Sequence, residues 1–179
     1  MSYHIEEMIS EEAVEARVNG LAAQINADYA GRELHMVIIL KGSVFFATEL
    51  AKRVTVPVTM DFMTVTSYGD GMVSAGEITV KKELDEDITG KEVLIIEDIV
   101  DSGRTLYYLK RLLLARDPAS LKIVTLLDKP ERRTVEIQAD YYGFEIPDRF
   151  VVGYGLDYAQ RHRNLPYVGV IIQDEEGDK

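Results

Sequence analysis

Val93-Leu94-Ile95-Ile96-Glu97-Asp98-Ile99-Val100-Asp101-Ser102-Gly103-Arg104-Thr105-Leu106 changes character twice along its length. It opens as a short apolar run rich in branched side chains, the pattern of a strand buried on both faces. Acids follow, then a small polar turn, and then Leu106, Leu109, Leu112 and Leu113 at helical spacing. Lys110, Arg111 and Arg116 fall toward the negative end of that helix and Pro118 stops it. A buried strand, a chemically loaded turn and an amphipathic helix make one unit of an α/β fold.

The same unit recurs on both sides. Upstream, residues 35–40 form a second buried strand that stops at Lys41-Gly42-Ser43, and a short helix with Phe45, Phe46 and Leu50 follows. Before it, residues 10–29 carry Ala13, Val14, Val18, Leu21, Ala22 and Ile25 at helical spacing. Ser10 is placed to cap this helix, and Glu11 and Glu12 suit its positive end. Residues 58–66 predict another strand, residues 67–76 a glycine-bearing connection or lid, and residues 77–81 a return strand. Downstream, residues 121–127 predict a buried strand ending at Asp128-Lys129-Pro130, with further strands near Tyr141, Phe150 and Val168. The sum is an α/β fold: a mainly parallel sheet flanked by helices, in a single domain spanning residues 1–179.

Ligands of open α/β sheets sit beyond the carboxyl ends of the strands. Three such ends are loaded here: Lys41-Gly42, residues 97–105, and Asp128-Lys129. Free N–H groups and hydroxyls of Ser102-Gly103-Arg104-Thr105, at a helix start, make a phosphate cradle. Gly103 permits close backbone approach and Arg104 adds positive charge. Carboxylates repel phosphate, so Glu97 and Asp98 beside such a cradle suit a phosphorylated sugar, with the diol on the acids. Taken alone, the turn equally fits a strand tip with solvated acids before an ordinary helix.

Composition narrows the chemistry. The chain has no cysteine, which excludes disulfides and thiol nucleophiles, and its three histidines are scattered. A bound metal is therefore expected to be a hard ion held by oxygen, such as magnesium. The net charge of −11 weighs against nucleic acid as the main partner. No basic and apolar leader pattern opens the sequence, and no apolar run approaches membrane-spanning length. The expected location is cytoplasmic, with no membrane partner.

Residues 95–106 resemble the phosphoribosyl-pyrophosphate motif of type I phosphoribosyltransferases. Residues 40–170 resemble, more narrowly, the hypoxanthine–guanine branch of that family. Leu40-Lys41-Gly42-Ser43 is similar to its pyrophosphate loop, and Ser67-Tyr68 to its flexible catalytic loop. Residues 126–132 are similar to its base-reading segment, and residues 150–158 and 163–167 to its hood. The hood is expected from the N-terminal segment together with residues from about 140 to 179.

The resemblance implies magnesium-dependent transfer of 5-phosphoribosyl from phosphoribosyl pyrophosphate to hypoxanthine or guanine. It implies that Lys129 donates to the oxygen at purine C6, Phe150 stacks on the ring and backbone near Val151 reads its edge. Lys41, Gly42 and Arg163 would hold pyrophosphate, while Ser102, Gly103, Arg104 and Thr105 would hold the 5-phosphate. Glu97, Asp98 and Asp157 would serve the metal, the first two also the ribose hydroxyls. Asp101 would act as general base near purine N7, and the Ser67-Tyr68 loop would exclude water. The resemblance further implies a cis peptide at Leu40–Lys41 and a homodimer or homotetramer. The rival readings are an RNA-binding attenuator on the same fold, a transferase for xanthine or a pyrimidine, and a non-enzymatic oligomer subunit.

Overall fold

The computed structural model describes residues 2–68 and 77–174. A six-stranded sheet forms its centre, in the order β4-β3-β2-β5-β6-β7. These strands are β2 (Leu34–Leu40), β3 (Val58–Tyr68), β4 (Glu77–Lys82), β5 (Glu92–Val100), β6 (Ser120–Asp128) and β7 (Tyr141–Glu145). All neighbours pair in parallel except β4, which returns antiparallel along β3 and forms one edge of the sheet. A second, antiparallel sheet joins β1 (Tyr3–Ile9), β9 (Val168–Gln173) and β8 (Val151–Val152), in that order.

Side-chain alternation along β2 shows how the layers assemble. Met36 and Ile38 point to one face and meet α1 (Glu11–Asp28) and α2 (Val44–Arg53) through Val14, Leu21, Ile25, Phe46 and Leu50. Val37 and Ile39 point to the other face and meet α3 (Arg104–Leu114) through Leu106, Leu109 and Leu113. A strand covered on both faces must be apolar throughout, which is why β2 and β5 read as continuous hydrophobic runs. The Ser10 hydroxyl accepts from the Ala13 N–H at 3.3 Å, the capping bond expected for α1.

Several local expectations change. β3 continues through Ser67 and Tyr68, which pair with Ile78 and Glu77 of β4. Those two residues therefore have strand backbones rather than belonging to the irregular connection. The remainder of the expected loop, residues 69–76, lies outside the described residues, as do the Ser67 and Tyr68 side chains. The strand expected near Phe150 is β8, which begins one residue after it, and Phe150 itself is 55% exposed. β1 was not anticipated as a strand. Among the described residues, no helix is long and apolar enough to cross a membrane.

Candidate active site

Parallel pairing brings the carboxyl ends of β2, β5 and β6 to one edge of the sheet, so Lys41, Asp101 and Lys129 emerge side by side. A cavity of about 330 Å³ opens there. Lys41 and Gly42 line it from β2, Glu97 to Gly103 and Thr105 from β5 and the start of α3, and Asp157 and Arg163 from the loop after β8. The side chain of Arg104 is exposed and stays off the cavity wall.

Two glycines set how closely these segments approach. A Cβ on Gly42 would stand 1.6 Å from Asp98 Oδ2, and one on Gly155 would stand 1.9 Å from the Gly42 carbonyl oxygen. Gly155 also has a φ of +105°, so a side chain there would be strained as well as crowded. The Leu40–Lys41 peptide between these contacts is cis, as the resemblance implied. Gly103 takes a left-handed φ of +82°, and its turn leaves the first N–H groups of α3 without helical acceptors. The Ser102 hydroxyl accepts the Arg104 N–H at 3.4 Å.

Charge is distributed unevenly around the cavity. Burial, reinforced by repulsion from Asp98, pushes the Glu97 carboxyl well up, and burial also raises Asp98. Asp98 Oδ1 accepts its neighbouring Ile99 N–H at 2.7 Å. Asp157 has both oxygens engaged, Oδ1 with Arg163 at 2.7 Å and Oδ2 with the Gln160 N–H at 2.7 Å. Arg163 also donates to the Gly155 carbonyl at 2.7 Å, and Lys41 donates to Gln160 Oε1 at 3.3 Å. Gln160, which the sequence did not single out, thus touches Lys41, Asp157 and Arg163.

Glu97, Asp98 and Asp157, the residues expected to serve a metal, all line this cavity. Among the described residues, no group of three or more His, Cys, Asp or Glu side chains is gathered as a ready metal cage. Asp157 is committed to Arg163 and Gln160 while Glu97 and Asp98 crowd each other. The donor set nevertheless suits a hard cation. Two enclosed, mutually repelling carboxylates are relieved by a divalent charge, and magnesium takes few protein ligands when substrate oxygens and water supply the rest.

Beside the cavity, Lys129 is only 6% exposed, and among the described residues its ammonium has a single charged partner, Asp148 Oδ1 at 3.7 Å. That separation is long for a hydrogen bond, so donors remain for an incoming acceptor. Phe150 sits edge-on to Tyr158, with ring centroids 5.6 Å apart, and Tyr158 in turn meets Tyr3 of β1 at 5.3 Å. Val151 is buried in β8. Arg133 donates to the Val100 carbonyl at 2.9 Å and the Asp101 carbonyl at 2.6 Å, and it pairs with Asp128. Arg132 Nε reaches Asp101 Oδ1 at 3.0 Å. Arg132 closes the segment that resembles the base-reading one, yet no role was expected of either arginine, and no spacing signal separates them from solvated residues.

A family model described as the phosphoribosyl transferase domain matches residues 4–159. The hypoxanthine phosphoribosyltransferase of Salmonella typhimurium is 51% identical over 178 residues, covering 98% of this chain and 100% of the relative. The bifunctional protein TilS/HprT of Listeria monocytogenes is 52% identical over 92% of this chain, and the chain spans 25% of that longer protein. A solved hypoxanthine-guanine phosphoribosyltransferase from Bacillus anthracis superposes with a TM-score of 0.89 at 43% identity, covering 96% of this chain and all of the other.

Proposed function

The chain belongs to the phosphoribosyltransferase family, and from that premise we infer that it is a purine-salvage enzyme. It transfers 5-phosphoribosyl from phosphoribosyl pyrophosphate to hypoxanthine or guanine, giving IMP or GMP and pyrophosphate. The observation that carries this reading is the convergence of three strand ends. It brings Glu97, Asp98, Lys41, Arg163 and the turn at the start of α3 around one cavity, with the under-partnered Lys129 beside it.

The geometry supports a division of labour. Ser102, Gly103, Thr105 and the backbone of Arg104 take the 5-phosphate at the start of α3. Glu97 and Asp98 accept from the ribose hydroxyls. Lys41, the backbone of Gly42, and Arg163 hold pyrophosphate, which requires Gln160 to release Lys41. Glu97, Asp98 and Asp157 are the residues that would hold magnesium together with pyrophosphate oxygens. A magnesium ion there would supply positive charge against the leaving group. Phe150 covers the purine face and backbone at Val151 meets its edge.

Bond breaking at C1 of the ribose leaves an electron-poor ring and an electron-rich pyrophosphate, so charge placement governs the rate. Lys41 and Arg163 stabilise the departing charge. Asp101 accepts or shares the proton at purine N7 as N9 bonds to C1. Lys129 donates to the C6 oxygen; adenine presents a donor there, and two donors face to face disfavour it. Ser67 and Tyr68, at the end of β3, are assigned the role of keeping water from the activated sugar.

A steady-state assay with phosphoribosyl pyrophosphate, magnesium and each of hypoxanthine, guanine, xanthine, adenine and uracil tests the reading. Turnover of hypoxanthine or guanine with adenine excluded is the expected outcome. Silence with every base would overturn it.

A further inference from the structure

The two groups assigned to the purine, Asp101 and Lys129, lie at the ends of adjacent strands and are joined by a chain of alternating charge. Arg132 Nε meets Asp101 Oδ1 at 3.0 Å, Arg132 Nη1 meets Asp148 Oδ2 at 3.3 Å, and Asp148 Oδ1 faces the Lys129 ammonium at 3.7 Å. Arg132 supplies the only hydrogen bond to the Asp101 carboxylate among the described residues, which leaves Oδ2 open.

The backbones beneath this chain are fixed independently of it. The Lys129 N–H bonds the Val100 carbonyl at 2.9 Å, and Arg133 clasps the carbonyls of Val100 and Asp101. What those bonds leave undetermined is the rotation of the two functional side chains. The turn Pro130–Arg132 projects a guanidinium between them. About half of each of the Arg132, Asp101 and Asp148 side chains is exposed. Exposed pairs contribute only about 0–1 kcal/mol to stability, so fold maintenance is a poor explanation for the arrangement.

Building on the roles given above to Asp101 and Lys129, we propose that Arg132 is a positioning residue. It holds one oxygen of Asp101 so that the other faces purine N7, and through Asp148 it sets the place of the ammonium that reads O6. The guanidinium suits this work because two of its nitrogens address two carboxylates at a fixed angle. A lysine ammonium on a flexible stem keeps the charge and loses the fork.

The experiment compares Arg132→Met, Arg132→Lys, Asp101→Asn and the double variant Arg132→Met/Asp101→Asn in hypoxanthine turnover and thermal unfolding. A displaced reacting group costs about 10- to 100-fold. Arg132→Met is expected to lower kcat by that factor, with KM for phosphoribosyl pyrophosphate and the unfolding temperature near wild type. Arg132→Lys is expected to recover part of the loss. With Asp101 already replaced, removal of Arg132 should cost little more, because its target is gone. Wild-type kcat in Arg132→Met, or an equal further loss in the double variant, would overturn the proposal. So would a kcat loss matched by a fallen unfolding temperature. If Asp101→Asn itself turned over normally, the general-base assignment would be the part that fails, and the positioning role would fail with it.

Discussion

Four carboxylates line the cavity, and their partners separate them. Asp157 pairs with Arg163 and takes the Gln160 N–H, Asp98 packs on Gly42 and takes the Ile99 N–H, and Glu97 is pushed up by its enclosure. Asp101 alone combines a cationic neighbour with an oxygen left open at the edge nearest Lys129. An amide there keeps the shape and cannot accept a proton from N7. Asp101→Asn is therefore expected to lower kcat by about 10²–10⁴-fold, the range of general-base catalysis, with KM for phosphoribosyl pyrophosphate within a few-fold of wild type. Steady-state kinetics with the second substrate varied would show this; an unchanged kcat would remove Asp101 from the mechanism. Lys129→Met keeps the buried stem and deletes the donor. A lost charge-assisted hydrogen bond is worth about 1.5–3 kcal/mol, so KM for hypoxanthine should rise by about 10- to 150-fold while binding of phosphoribosyl pyrophosphate, measured separately, holds. An unchanged hypoxanthine KM would assign recognition of O6 elsewhere.

At the scale of elements, the site depends on how closely two loops can touch. The Gly42 carbonyl abuts Gly155 while its Cα abuts Asp98, so the β2 loop is sandwiched between the β5 end and the loop after β8. Gly42→Ala must displace a carboxylate assigned to ribose and metal. At least a tenfold fall in kcat/KM for phosphoribosyl pyrophosphate is expected, on the order of what a 1 Å misplacement costs. A fall confined to the purine KM would argue that the Asp98 contact is incidental. The same elements show what a sequence reveals. β2, β5, β6 and α1 were legible because burial imposes an apolar run or a 3.6-residue period. β1 was not, because its register against β9 alternates exposed and half-buried residues and its paired glutamates break the pattern. Lys41, Asp101 and Lys129 were legible as residues at strand ends. Arg132, Asp148 and Gln160 were not, because their roles arise from contacts across loops that no spacing records.

For the whole molecule, the parallel sheet separates function from a stabilising network at its opposite edge. Where the strands begin, Lys122 lies near Asp28 and over the rings of Tyr29 and Tyr141, and Arg32 pairs with Glu92. Burial raises the Tyr29 hydroxyl to about 12, so it stays neutral across the working range. His35 of β2 is buried in the same region, its Nδ1 2.7 Å from Thr59 Oγ1 and its Nε2 without a partner among the described residues. Burial lowers its pKa, the nearby Lys91 lowers it further, and Asp61, Glu86 and Glu33 oppose without reversing the shift. The unfolded chain protonates this histidine near 6.5, the folded chain only at lower pH. Its contribution to stability is therefore present above 6.5 and is lost as pH falls toward the folded value. His4 shifts the opposite way, raised by Asp174 and Glu6, so the wild-type curve mixes two signs. Subtracting a His35→Gln variant isolates the buried group, since glutamine does not titrate. Urea midpoints of the two proteins, followed from about pH 8 to about pH 5.5, should converge or cross as the acid side is reached. Parallel curves would mean that His35 does not titrate with unfolding. Because the proposed site lies at the other end of the strands, hypoxanthine turnover at neutral pH should be the same in both proteins.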